Sequence, residues 1–244
     1  METQTQKISK TIGNYVAEDF RTAAVFKKHQ IDFCCNGHRT LEEVCLKKGL
    51  DTELIMNELE HSLHSYSDEK MDYSSWPIDL LADYIEKKHH RYVEDTIPVL
   101  KQFLEKLCRV HGERHTELLK INELFKTSAG ELTKHMKKEE LNLFPYVKEM
   151  VNAQRQGTIL ASPPFGQVQN PISVMENEHE NEGQRFSQIA ELTNNYQPPS
   201  DACTTFRVAY SMLEEFEKDL HLHIHLENNI LFPKAIKLQE QFVN

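Results

Sequence analysis

The sequence predicts an all-α protein, an up-down-up-down four-helix bundle preceded by a small domain of short helices. Apolar residues recur at helical spacing along most of the chain, whereas alternating β-branched runs are scarce. Thirteen histidines stand against only 8 glycines, a balance that suits helices rich in imidazole. A short histidine-containing motif occurs twice in the second half, at matching positions of two helical tracts.

The first segment, from Ile8 to about Ser67, carries short amphipathic stretches: Ile12, Val16 and Phe20; Val25 and Phe26; Leu41, Val44 and Cys45; Leu54, Ile55 and Leu59. They are interrupted around Cys34-Cys35-Asn36-Gly37, which gives short helices and a first domain over residues 1–70. Ser65 to Pro77 is polar and aperiodic and ends in a proline, as suits a linker into a helix start. The second domain is then 77–244, with helical tracts over about 78–107, 113–151, 171–196 and 200–242. The connection from Asn152 to Asn170 is long and holds Gly157, Pro163, Pro164 and Gly166. Gln197-Pro198-Pro199 is short enough to force antiparallel neighbours, so simple up-down wiring follows.

Charge and composition exclude several functions. With 244 residues, 28 basic against 38 acidic side chains and a net charge of -10, the chain repels phosphate backbones and anionic lipid heads. Nucleic acid and membrane surfaces are therefore not expected partners, and a homodimer is compatible with the composition. The start has no basic then apolar leader, and no apolar run approaches a membrane span, so a cytoplasmic protein is expected. Five cysteines, two of them adjacent, do not form an extracellular disulfide framework, and reduced thiols are expected.

The repeat carries the chemistry. His135-x3-Glu139-x3-Leu143-Phe144-Pro145 aligns without gaps with His223-x3-Glu227-x3-Leu231-Phe232-Pro233. A His and a Glu four residues apart project from one helix face toward a common point. Alone, each pair would read as a surface pair. Both, however, lie in apolar stripes: Ile121, Phe125, Leu132, His135, Glu139 and Leu143; and Leu213, Phe216, Leu220, His223, Glu227 and Leu231. Burying two carboxylates and two imidazoles without a cation would cost several kcal/mol per ion, which points to a metal. Each copy has an upstream histidine: His90 and His135 are 45 residues apart, His179 and His223 are 44 apart. His179 lies in the stripe Ile172, Met175, Phe186 and Ile189. At the first helix His89 continues the cleaner stripe, while repeat spacing favours His90. Four imidazoles and two carboxylates, without thiolate, suit two iron or manganese ions bridged by two glutamates better than a closed structural zinc. Pro145 and Pro233 each remove a helical hydrogen bond just past the site and are expected to bend their helices.

The repeated His-x3-Glu with its upstream His resembles the hemerythrin-like di-iron domain over about Trp76 to Lys237. Joined to Ile31-Asp32-Phe33-Cys34-Cys35-Asn36-Gly37 and Thr40-Leu41, the chain closely resembles the repair-of-iron-centres (RIC, or YtfE/ScdA-type) family over nearly its whole length. The resemblance implies a non-haem protein with two iron ions per chain that restores iron–sulfur clusters damaged by nitric oxide or peroxide. It further implies nitric-oxide chemistry at the metals, damaged iron–sulfur proteins as partners and nitric oxide or dioxygen as small ligand. In the family pattern the first ligand is the His eight residues before a helix proline, here His90 before Pro98. Asn36 stands where the pattern has a second small residue. The expected ligand set is His90, His135, Glu139, His179, His223 and Glu227. The competing reading is a hemerythrin-like module that binds or senses oxygen or nitric oxide, and iron storage is disfavoured because nothing suggests a cage-forming surface.

Adjacent Cys34 and Cys35 could close only a strained ring, so they read either as a reactive thiol pair or as small core residues, and the family resemblance favours the reactive pair. Cys45, Cys108 and Cys203 read as core filler, and His29, His38, His61, His64, His115, His221 and His225 as surface groups. His111 is 21 residues after His90 and 24 before His135, which puts it at a helix turn far from the metals rather than in the role of a fifth histidine ligand.

Overall fold

The computed structural model describes residues 8–64 and 72–242. Among these residues the secondary structure is helical, apart from an isolated antiparallel bridge between Thr11 and Thr40. The N-terminal part contains α1 (Ile12–Glu18), α2 (Thr22–Lys28), α3 (Leu41–Lys48) and α4 (Thr52–His64). Thr11 caps α1 by accepting from the Asn14 amide, and Thr40 and Glu43 form a reciprocal capping box on α3. Gly49, at φ 65°, closes α3 in the left-handed conformation that a side chain disfavours.

Four long helical rods follow. The first joins α5 (Ile78–Tyr84), a widened stretch over Ile85–His90, and α6 (Arg91–His111). The second joins α7 (Glu117–Lys138), a widened turn over Glu139–Leu143, and α8 (Phe144–Gln156). The third is α9 (Gln169–Leu192). The fourth joins α10 (Thr204–Leu226), a widened turn over Glu227–Leu231, and α11 (Phe232–Gln239). α6 packs on α7, α7 on α9 and α10 on α6, while α5 at the start of the first rod meets α8 at the end of the second. This is the up-down-up-down bundle. No helix among the described residues is long and apolar enough to cross a membrane.

Three local expectations are revised. Of the expected linker, Ser65–Met71 lies outside the described residues, while Tyr73–Ser75 forms a 3-10 turn capped by the Asp72 carboxylate. Its Tyr73 is buried against Trp76 and Tyr84. The helix distortion precedes each proline instead of being made by it. The Phe144 and Phe232 amides bond to carbonyls five residues back, at Glu139 and Glu227, which widens the turn there. Pro145 and Pro233 then sit in the first turn of the resumed helix, a position whose backbone angles suit proline. Finally, Cys203 is exposed and Cys108 half-buried, because both lie at the bundle end near the α6–α7 turn; only Cys45 is core.

The apolar interior is divided in two. One cluster joins the N-terminal helices (Ile12, Phe26, Leu41, Ile55) to one half of the bundle (Leu104, Phe125, Phe186, Phe216). The other fills the opposite half, with Ile85, Phe144, Ile172 and Phe232. The N-terminal helices thus share a core with the bundle. α1 lies against the fourth rod, and Lys27 reaches Glu217 of α10 at 2.9 Å.

Candidate metal centre

Between the two apolar clusters every rod contributes buried polar residues at the same level: His89 and His90, His135 and Glu139, His179, and His223 and Glu227. Three of the rods carry a widened turn at or beside these positions and α9 does not. An extra residue in a turn shifts the helix face, so the motif residues and the apolar residues beyond them both point inward.

The six residues expected from the repeat are brought together. His90, Glu139, His223 and Glu227 form one group of candidate ligand atoms, and His135, Glu139, His179 and Glu227 form another, each within 4.8 Å. The two groups share both carboxylates. His90 Nε2 and His135 Nε2 each lie 3.4 Å from Glu139 Oε2, while His179 Nε2 is 3.1 Å from Glu227 Oε2 and His223 Nε2 3.0 Å from Glu227 Oε1. His135 and His179 face each other with Nε2 atoms 2.9 Å apart.

Outer contacts fix three of the four rings. His90 Nδ1 lies 2.9 Å from Glu140 Oε1, His135 Nδ1 2.8 Å from Glu178 Oε2, and His179 Nδ1 2.8 Å from Asn228 Oδ1. An imidazole that donates Nδ1–H to an oxygen presents the Nε2 lone pair to the centre. These partners escaped the sequence reading, although the repeat contains them: Glu140 and Asn228 each follow the motif glutamate and each hold the upstream His of their own half. His223 Nδ1 has no such partner, and His89 stacks on its ring instead, centroids 5.6 Å apart.

The layer is short of positive charge. Both Glu139 oxygens, Glu227 Oε2 and His90 Nε2 are buried without a hydrogen bond. Burial opposes charge on His135, yet Glu139, with Glu178 and Glu227, overrides it and pushes this imidazole up to about 10. Burial would likewise raise Glu227, but His223 and His179 hold its carboxyl well below the usual range. Burial and Glu227 would raise Glu139, which His135 and His90 bring below its ordinary value. Ionised carboxylates in a dry layer need positive charge beside them, supplied by protons on the imidazoles or by a metal ion, and the nitrogen and oxygen donors fit first-row divalent ions.

The two sides of the layer differ. A cavity of about 290 Å³ reaches His135 and His179, lined among others by Glu131, Glu178 and the buried Glu182. On the other side His89, fully buried, closes the layer: its Nδ1 is 2.9 Å from Asp219 Oδ1, and Tyr84 packs on its edge. The choice between adjacent histidines thus resolves into two placements, His90 facing the carboxylates and His89 behind His223. His111 ends α6, beside Cys203 and Phe206 and apart from the layer.

Two histidines expected at the surface are covered. His225 is fully buried, because Phe20 and Phe33 of the N-terminal segment pack on it, and burial drives its pKa down to about 3. His221 lies half-buried beside Phe33. His29 and His115 are also partly covered, by Glu58 and by Glu117 with Asp201 respectively, while His38 and His61 are exposed and the His64 side chain lies outside the described residues. Cys34 is buried and Cys35 half-buried, with Cys35 Sγ 3.4 Å from the His179 carbonyl. The loop that carries them is tied to the fourth rod: Asn228 Nδ2 donates to Cys34 O, and Asn229 Nδ2 to Phe33 O.

Residues 81–235 match the hemerythrin HHE cation-binding domain, and residues 8–63 match the ScdA N-terminal domain, a domain of unknown function (DUF542). Fold and site thus define a hemerythrin-type cation-binding protein with an added N-terminal domain. Iron-sulfur cluster repair proteins YtfE of Yersinia pestis and Yersinia pseudotuberculosis are each 36% identical to it over 217 residues, 89% of this chain and 92% of theirs. The chain belongs to the YtfE family of iron–sulfur cluster repair proteins.

Proposed function

We propose that the chain is a cytoplasmic di-iron protein that repairs iron–sulfur clusters damaged by nitrosative or oxidative stress, by iron delivery, nitric-oxide reduction or both. His90 and His223 would hold one iron, His135 and His179 the other, with Glu139 and Glu227 bridging. The observation that carries this is the pair of four-residue groups sharing two carboxylates in one buried layer. Iron held there supplies redox chemistry toward a small diatomic ligand such as nitric oxide or dioxygen. The chain's own residues do the rest. Glu140, Glu178 and Asn228 fix the tautomers of three imidazoles, the two apolar clusters keep bulk water from the layer, and the cavity beside His135 and His179 admits a small ligand. Cys34 and Cys35 act in redox or iron transfer to damaged iron–sulfur proteins without holding the resting centre.

The test is iron content and magnetic coupling of the purified protein, with recovery of a nitric-oxide-damaged iron–sulfur enzyme mixed with it. Two coupled irons per chain are expected, fewer in Glu139→Ala, and recovery should track iron content. One uncoupled iron in the wild type, or full occupancy in the variant, defeats the bridged site. Coupled irons that bind nitric oxide without restoring the damaged enzyme would favour a sensor.

A further inference from the structure

The thiol pair is packed beside the His/Glu layer but supplies no ligand atom to its two groups. Asp32, Cys34 and Cys35 lie in the loop after α2, where the backbone turns. Neighbouring side chains of an extended chain point to opposite faces, but here they converge. Cys34 Sγ and Cys35 Sγ are 3.7 Å apart, and Cys34 Sγ is 3.3 Å from Asp32 Oδ1. A tetrahedral cation with sulfur at ~2.3 Å and oxygen at ~2.0–2.2 Å sets two sulfurs ~3.8 Å apart and a sulfur and an oxygen ~3.5 Å apart. All three candidate ligand atoms lie within 4.8 Å of one another, so they stand near three corners of such a tetrahedron. We propose that Asp32, Cys34 and Cys35 form a second metal site that takes one thiophilic divalent cation, iron(II) or zinc(II), with its fourth position open to solvent.

The carboxylate is set in place by the protein alone. Asp32 Oδ1 accepts from the Cys34 and Cys35 amides at 3.1 and 2.9 Å, and Oδ2 accepts from Asn36 Nδ2 at 2.6 Å. Cys35 gains its position because α9 has a glycine below it: a Cβ at Gly183 would come 3.2 Å from the Cys35 sulfur. Asp32 is exposed and Cys35 half-buried, so a cation can enter from solvent while Cys34 closes the inner side. Three protein donors and one open position mark an exchangeable site rather than a closed structural one. Both sulfurs are free thiols. A divalent cation takes cysteine sulfur as thiolate, so binding displaces the thiol protons. Binding is then an exchange: two sulfur–metal bonds form, two S–H bonds break, both protons pass to solvent, and nothing is oxidised or reduced.

The proposal builds on the reading that the thiol pair is functional, and it is independent of what fills the His/Glu layer. The full chain, reduced and under anaerobic conditions, is titrated with Co²⁺. Wild type should show sulfur-to-cobalt charge-transfer absorption in the near ultraviolet with the amplitude of one thiol-bound cobalt per chain, and should release about two more protons than Cys34→Ser/Cys35→Ser. The same band should appear in His135→Ala/His179→Ala and vanish in Cys34→Ser/Cys35→Ser, which should keep the ligand-field absorption of cobalt in the His/Glu layer. Asp32→Asn keeps the oxygen that accepts from the two amides and should weaken cobalt binding about tenfold. A wild type without the band overturns the proposal, as does a band that survives the double serine variant because Cys45, Cys108 or Cys203 supplies the sulfur. A charge-transfer band without any absorption from the His/Glu layer supports the thiol site and removes the di-iron reading alone.

Discussion

Two imidazoles whose Nε2 atoms meet at 2.9 Å, each with its other nitrogen engaged by an oxygen, need a proton or a metal ion between them. His179→Ala removes one of these donors and should lose iron, whereas His111→Ala, at the far end of α6, should keep both irons and a nearly unchanged visible spectrum. Equal losses would place His111 at the centre. Glu182 tests the same layer through pH. Burial holds its carboxyl above the ordinary 4.5 in spite of Ser128 and Arg185. The folded state therefore keeps a proton that the unfolded state has lost. This contribution is fully present below the ordinary value and is lost as pH rises through the raised one. Iron-free Glu182→Gln should accordingly gain stability relative to wild type as pH rises above the ordinary carboxylate range, read from urea denaturation, and a constant difference would contradict the assignment. Four of the central residues were readable in the sequence because two copies of one motif fell in apolar stripes, His179 because it lay in a stripe of its own, and His90 only through repeat spacing and the family pattern. His225 was not, because helical periodicity reports which face a bundle buries and is silent on a second domain covering the opposite face.

At the scale of elements, the fourth rod does two jobs, and Asn228 and Asn229 show how. Asn228 touches His179 with its oxygen and the Cys34 carbonyl with its nitrogen, so one side chain spans the His/Glu layer and the thiol loop. Asn229 fills a cradle between α1 and the thiol loop: a Cβ at Gly13 would overlap its side chain, and one at Gly37 would come 2.6 Å from its Oδ1. Gly13→Ala should therefore destabilise the protein by about 1–3 kcal/mol even though alanine favours a helix. Adding Asn229→Ala should recover part of that loss, measured as non-additivity in urea. Purely additive effects would mean that the contact carries no energy. The break between the second rod and α9 was readable from Gly157 and the prolines after it, although the rod runs to Gln156, past the expected end at Val151, and α9 starts at Gln169. The widened turns were not. They follow from the need to keep both the His/Glu residues and the apolar residues beyond them pointing inward, a requirement of three-dimensional packing that leaves no local composition signal.

For the whole molecule, the duplication that generates the layer is broken at its two ends. Glu131, four residues before His135, and Glu178, beside His179, line an opening, while their counterparts Asp219 and His89 bond to each other and form a wall. Two irons in such a chamber would share one door. Mixed with an excess of a small chelator, the loaded protein should release iron in two kinetic phases of equal amplitude. The fast phase belongs to the ion on His135 and His179, the slow one to the ion that must wait for its neighbour to leave or for the His89 wall to open. His89→Ala should accelerate the slow phase and draw the two together, whereas a single exponential in the wild type would mean that both ions leave at once. A protein with one fast and one slow iron behaves as a dispenser with a reserve: it can give up one atom quickly while the second keeps half of the chamber filled, ready to be topped up through the same opening.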